Sequence, residues 1–246
     1  MTFDYFFAKE WEAPEEYLWE LYSPGHLMWL GAMAIICAIF LRYFLKLPAE
    51  KQDKYIKGLA IWIGVQEILK DIIHWATDTL GAEHLPLHIC GISIFFTLIY
   101  AFKPGRLTGA YLYGMSMPGA LCALIFANWT GYPFLNFSSI NSFTIHGELI
   151  LFVLMVLLSG RLYPDIRKIP QLTLVMVGLA IPMHFVNKAL STNFMFISYP
   201  SPGSPLMPLY DLFGDFYVVA ALVLMVAIWV ILFLPWYIKE KRTPKK

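Results

Sequence analysis

The sequence predicts an all-α protein, a polytopic membrane bundle of seven transmembrane helices with the N-terminus outside and the C-terminus cytoplasmic. Three observations predict it. Hydrophobic residues make up 59% of the 246 residues and charged residues 14%, whereas soluble domains run at roughly 45–50% and about 25%. Seven apolar runs recur along the chain. Lys and Arg gather in alternate connections between those runs.

The chain begins with an acidic, aromatic segment, residues 1–22. Asp4, Glu10, Glu12, Glu15, Glu16 and Glu20 alternate there with Phe3, Tyr5, Phe6, Phe7, Trp11, Tyr17 and Trp19. It lacks the basic start and apolar middle of a signal peptide. Aromatics of this kind favour the membrane–water boundary. The segment reads as extracytoplasmic and interfacial, with a helix opening after Ala13 and Pro14 at its first position.

The apolar runs cover residues 27–45, 56–75, 85–102, 107–127, 143–160, 172–190 and 216–237. Each is close to the ~17–25 residues that cross a bilayer. Pro48, Lys103-Pro104-Gly105, Gly131-Tyr132-Pro133 and Tyr163-Pro164 mark turns between them. The seven-helix domain therefore covers residues 23–238, followed by a basic cytoplasmic tail, 239–246. The 6–7 connection, residues 191–212, is long and holds Pro200, Pro202, Gly203, Pro205 and Pro208. It reads as a packed plug or as a functional lid.

Orientation follows from the basic residues. Arg42, Lys46, Lys51, Lys54 and Lys57 flank the 1–2 connection. Lys103 and Arg106 lie in the 3–4 connection, and Arg161, Arg167 and Lys168 in the 5–6 connection. The tail carries Lys239, Lys241, Arg242, Lys245 and Lys246. These are fifteen of the 18 Lys and Arg residues, and the 2–3, 4–5 and 6–7 connections hold none. The cell membrane is the expected location. A net charge of +1 offers no footprint for nucleic acid. The partners expected are the bilayer and a membrane phospholipid or fatty-acyl substrate, and the oligomeric state is left open.

Ionisable residues inside spans point to function. Glu67, Lys70, Asp71 and His74 share one face of span 2 at i, i+3, i+4 and i+7. All six histidines fall in the outward half of the predicted spans. His26 precedes span 1, His74 ends span 2, His84 and His88 open span 3, His146 opens span 5, and His184 lies in span 6. Glu148 follows His146, and Asn187 follows His184. The set describes a polar cavity open to the outside, although each histidine taken singly also fits a helix cap or a boundary residue. No HExxH occurs, and Pro86 interrupts the His84–His88 pair, so no metal site is predicted. No cofactor is predicted either. Span 7 has no lysine for a retinal Schiff base.

His84-Leu85-Pro86-Leu87-His88-Ile89-Cys90 is the most informative stretch. Pro86 suits the first turn of a helix. Cys90 then sits near a helix N-terminus and near histidine, which favours its thiolate. The spacing alone equally allows Cys90 to pack in the core. The other two cysteines, Cys37 and Cys122, show neither zinc nor disulfide spacing.

The Leu85-Pro86-Leu87-His88-Ile89-Cys90 stretch resembles the LPLHLC-type signature of YwaF-like bacterial integral membrane proteins, which group with eukaryotic transmembrane protein 164. Ser23-Pro24-Gly25-His26, Ile145-His146-Gly147-Glu148, Asn187 with Asn193-Phe194-Met195-Phe196, and Leu212-Phe213-Gly214 resemble it too. The resemblance covers nearly the whole chain. It implies a phospholipid acyltransferase that carries the acyl group on a cysteine, which maps to Cys90. His88, His146 or His184 would be the base. Asp71 or Glu148 would orient that base, and Asn187 would help stabilise an oxyanion. A more distant likeness to membrane hydrolases of fatty-acid esters implies water as the alternative acceptor. Without the resemblance, the Glu67–Lys70–Asp71–His74 face fits a solute or proton transporter or a binding protein.

Overall fold

A computed structural model describes residues 3–242, and residues 1, 2 and 243–246, including the end of the predicted basic tail, lie outside it. Every apolar run coincides with a helix. These are α1 (Pro24–Leu45), α2 (Ala49–Ala76), α3 (Ile89–Phe102), α4 (Arg106–Tyr111), α5 (Met117–Ile125), α6 (Phe137–Leu158), α7 (Ile169–Leu190) and α9 (Tyr217–Arg242). A short α8 (Met207–Phe213) precedes α9. No strand occurs among the described residues beyond an isolated bridge between Leu18 and Pro133.

Five helical stretches are long and apolar enough to cross a membrane: Pro24–Leu45, Ala82–Phe102, Phe137–Leu158, Ile166–Leu190 and Met207–Arg242. The chain is a multi-pass membrane protein. Its apolar residues face outward as well as inward. In the most apolar stretch of α1 only 6% of residues are buried in the protein, and Ile35, Ile36 and Ile39 are all exposed. In water such a surface would be an extreme patch. Against lipid tails it is the expected one. The other two predicted spans form helices too. α2 carries Glu67, Lys70 and Asp71 within its apolar part, and α4 and α5 are short pieces of one run.

Those two pieces meet at a π-helical turn, Leu112–Ser116, whose cause is in the sequence. Pro118 has no N–H to bond the Gly114 carbonyl four residues back. That carbonyl accepts instead from Trp229 Nε1 of α9 at 2.7 Å. A Cβ on Gly114 would come within 3.0 Å of Leu172 and 3.2 Å of the Trp229 indole. The core closes around this contact with Trp229, Phe233, Leu172, Leu112 and Tyr111, all fully buried.

The termini of the helices follow ordinary capping chemistry. Ser23 caps α1, accepting from the His26 N–H at 3.4 Å, with Pro24 at the first position. Asn136 caps α6 through the Ser138 N–H at 2.7 Å. That cap starts α6 six residues before the predicted run, because Ser138, Ser139, Asn141 and Ser142 hide a polar first turn and a half from a hydropathy reading. The helix expected after Ala13 is a single 3-10 turn, Glu15–Tyr17, with Pro14 as its cap residue. The segment is instead fastened from outside. The Asn136 amide donates to the carbonyls of Tyr5 (2.9 Å) and Ala8 (3.1 Å), and the Trp11 N–H bonds Gly131 O at 2.8 Å.

The bundle has two unlike ends. One gathers the N-terminal segment, the 127–136 loop and the chain after α7. The other gathers the 1–2, 3–4 and 5–6 connections and the end of α9. There Arg161 bonds Asp53, Gln52 and Ala49 O at 2.8–2.9 Å, and Arg167 bonds Asp165 and Glu240.

Candidate functional site

The start of α3 lies at the first of these ends. The backbone before it is a tight turn, with the Leu87 N–H bonding Leu85 O at 2.7 Å. His88 is the extended cap residue, and the helix begins at Ile89. Pro86 therefore precedes the helix rather than opening it. Gly91 explains why. A Cβ there would stand 2.6 Å from the Pro86 carbonyl carbon, so the turn folds directly onto the helix's first turn. This leaves His88 at the cap and Cys90 inside the first turn, where backbone N–H groups lack intrahelical partners.

Cys90 packs against the core. Its sulfur makes no hydrogen bond with any histidine among the described residues. The ionisable groups that feel it electrostatically are Cys122 of α5 and Tyr111 at the end of α4. Tyr111 stacks on Phe96 of α3 at 3.7 Å between ring centroids.

His88 and His146 are near enough to interact electrostatically, and their hydrogen bonds differ in sense. His88 Nδ1 accepts from the Met195 backbone N–H at 3.3 Å. A neutral imidazole accepting at one nitrogen carries its proton on the other, so His88 presents Nε2–H. Phe194 and Phe196 flank its ring at 5.2 and 5.1 Å. His146 Nδ1 lies 2.6 Å from Ser142 O. A carbonyl only accepts, so this nitrogen carries the proton and Nε2 keeps its lone pair. Trp129 stacks on the His146 ring at 5.2 Å, 10° from parallel. One histidine is arranged to donate and the other to accept.

The remaining predicted residues divide. His184 is exposed on α7, and its ring contact is with neighbouring Phe185. His26 is fully buried with both nitrogens engaged: Nδ1 accepts from the Tyr22 N–H at 3.0 Å and Nε2 donates to Leu124 O at 2.8 Å. It ties the start of α1 to the end of α5. Glu148 lies on a different face of α6 from His146, as a two-residue offset requires. Its Oε1 accepts from Trp62 Nε1 of α2 at 2.8 Å, and its buried Oε2 has no partner. Asn187 is buried, and both ends of its amide are held by Phe194, so its donors are not turned to a substrate.

On α2, Lys70 bridges Glu67 at 2.5 Å and Asp71 at 3.3 Å, and donates to His84 O at 2.9 Å. The mixed signs lower the cost of holding all three away from water. His74 turns to Thr79 Oγ1 at 2.7 Å, and its ring lies 4.0 Å from that of His84 between centroids, tilted by 46°. Beside this pair is a cavity of about 220 Å³, lined also by Glu10, Glu83 and Tyr132. Burial pushes the Tyr132 phenol up to about 12, with Glu10 adding to the rise. The phenol stays a neutral donor there. Among the described residues no group of three His, Cys, Asp or Glu is placed to hold a metal ion.

The family model for the TMEM164 family matches residues 21–233. The chain belongs to the TMEM164 family. The matched stretch runs from the cap of α1 to Phe233 in α9, so it includes the turn at Pro86, His88, Cys90, His146 and the Asn187–Phe196 segment. Neither the curated proteins nor the solved structures give a match to this chain.

In this TMEM164-family chain the sequence reading missed the parts played by Gly91, Ser142, Trp129, Cys122 and the backbone of Met195. Gly91 carried a readable signal, being a glycine inside the first turn of a helix, where it is unfavourable unless another backbone comes close. Ser142 lies one turn before His146 on the same helix, a spacing the sequence shows. Trp129, Cys122 and the Met195 backbone matter through contacts between separate parts of the chain, which no spacing along one helix announces.

Proposed function

We propose that the protein is a seven-span protein of the cell membrane, N-terminus outside, that transfers an acyl group between lipids through a thioester on Cys90. The observation that carries this reading is an opposed pair: His88, two residues before Cys90 at the cap of α3 with Nε2–H to donate, and His146, near enough to His88 to interact with it and with a free lone pair on Nε2. Membership of the TMEM164 family supports the reading through the resemblance described above, which implies an acyl group carried on a cysteine.

In the first step His146 Nε2 takes the thiol proton. The sulfur attacks the ester carbonyl of a phospholipid, and an S–C bond forms. His88 Nε2–H and the free N–H groups at the start of α3 receive the negative charge on the carbonyl oxygen. The ester C–O bond breaks, and the departing lysophospholipid oxygen takes the proton from His146. In the second step a lipid alcohol gives its proton to His146, its oxygen bonds the thioester carbonyl, the C–S bond breaks, and the departing sulfur takes the proton back from His146. With water in place of the alcohol the same site hydrolyses fatty-acid esters. Apolar walls and surrounding lipid hold the acyl chain.

The test is intact-protein mass spectrometry after incubation with phospholipids in nanodiscs. A hydroxylamine-labile acyl adduct on wild type, absent from Cys90→Ala, is the expected result. An adduct that persists in Cys90→Ala, or none on wild type across varied lipids, overturns the reading. His146→Gln should slow adduct formation by ~10²-fold or more.

A second reading rests on the 220 Å³ cavity, which is lined by His74 and by His84, whose carbonyl holds Lys70, and not by Cys90. There the protein binds or moves a polar solute or a proton. It predicts pH-dependent flux in liposomes that Asp71→Asn or His74→Gln abolishes and Cys90→Ala leaves unchanged.

A further inference from the structure

The loop after α7 is built around Asn187. α7 ends with Ser191 in the left-handed region, φ 55°. Asn187 Oδ1 accepts from the Phe194 N–H at 2.7 Å and from Thr192 Oγ1 at 3.0 Å, while Nδ2 donates to Phe194 O at 3.1 Å. One buried side chain thus grips both backbone groups of Phe194. The next two residues, Met195 (φ 59°) and Phe196 (φ 51°), are left-handed, which residues with side chains adopt only when their surroundings impose it. The outcome of that geometry is a Met195 N–H directed at His88 Nδ1, with the Phe194 and Phe196 rings flanking the imidazole.

We infer that Asn187 is a positioning residue that fixes the protonation pattern of His88: through Phe194 it aims the Met195 N–H at Nδ1, and so keeps the imidazole as an Nε2–H donor rather than a base. The inference rests on the reading of His88 beside Cys90 as a reaction site. It also divides the labour between the two histidines. A fixed N–H opposite Nδ1 repels a proton there, so His88 is unsuited to accept the thiol proton. His146, anchored by Ser142 O, has the free lone pair. Asn187 would reach the chemistry through His88 without touching substrate.

The experiment is ¹⁵N NMR of histidine-labelled full-length protein in nanodiscs, with the His88 signals assigned by their loss in His88→Gln. Wild type should show a bare Nδ1 and a protonated Nε2 at His88, and the reverse at His146. Asn187→Leu should convert the His88 signals to a mixture of both tautomers and leave those of His146 in place. Thr192→Val, which removes one bond to Asn187 but leaves Phe194 gripped, should keep the wild-type pattern. A protonated Nδ1 at His88 in wild type overturns the inference. So does a folded Asn187→Leu protein with unchanged His88 signals. If that variant does not fold, Asn187→Ser, too short to grip both groups of Phe194, is read the same way. The readout needs no turnover. Absence of an acyl adduct with the expected His88 signals overturns the reaction reading and leaves this one standing. If both hold, Asn187→Leu should slow acylation of Cys90 by about 10²-fold, as expected for a lost oxyanion donor.

Discussion

The two ends of the bundle are held by different forces. At the end with the basic connections, Arg161 joins the first and third of them and Arg167 ties the chain before α7 to α9, through half-exposed ion pairs. At the end with the histidines, apart from the Lys70 cluster on α2, the fasteners are neutral. His26, Asn136 and Asn187 are all buried, and each makes two or more hydrogen bonds to backbone. Exposed ion pairs are worth little, about 0–1 kcal/mol, and tolerate movement. Buried neutral networks punish any loss of a partner and so fix geometry. The difference teaches where precision is needed. The end that must place an imidazole nitrogen uses the rigid chemistry, and the end that must only close uses the forgiving one.

Four substitutions probe that contrast. The largest effect is expected from Gly91→Ala, which drives a methyl into the Pro86 backbone. Overpacking of a site that cannot yield costs about 3 kcal/mol, and thermal unfolding in detergent should register it as a drop of several degrees. Asn136→Ala comes next. It removes the α6 cap and both bonds to the N-terminal segment, for about 2–3 kcal/mol. Limited proteolysis should then cut within residues 5–13 at a rate the wild type does not show. Trp229→Phe strands the Gly114 carbonyl in the core and should cost about 1–3 kcal/mol, again read by unfolding. The smallest effect belongs to the other end. Arg161→Gln should cost only about 0.2–1 kcal/mol, and raising the salt concentration should shrink the gap from wild type. If Arg161→Gln proved as damaging as Asn136→Ala, the contrast between the ends would be wrong.

Much of the architecture was legible because the period and length of an apolar run are local properties. All seven runs are helical, and α7 ends where its pattern ends, at Leu190. The errors fall where local patterning and tertiary contact disagree. α6 begins in serines and asparagines because Asn136 has partners in the N-terminal segment. Residues 191–212, read as one loop, include most of α8 because Pro208 sits in its first turn, where a proline is harmless. The start of α3 moved three residues because Gly91 admits a backbone that only the folded chain brings near.

The candidate site was legible as a set of residue types and not as a set of roles. His88, Cys90 and His146 were singled out by position and by resemblance. Which imidazole nitrogen carries a proton depends on the Met195 N–H and the Ser142 carbonyl, one of which lies 107 residues away in the chain. Asn187 looked like a donor for a reacting oxygen because it is a polar residue near the end of a span. Its amide is closed by Phe194, seven residues on, a local loop contact that hydropathy cannot register.

The missing N–H of Pro118 has a consequence for the making of the protein. It leaves the Gly114 carbonyl without its helical partner among buried side chains, and the group that answers it is on α9, 115 residues further along the chain. Until Trp229 has emerged, the nascent chain holds an open acceptor in its apolar centre. The earlier helices therefore complete their hydrogen bonding at this point only once α9 has joined them. Completion of this contact waits on α9, and a chain cut short before residue 229 leaves the acceptor open.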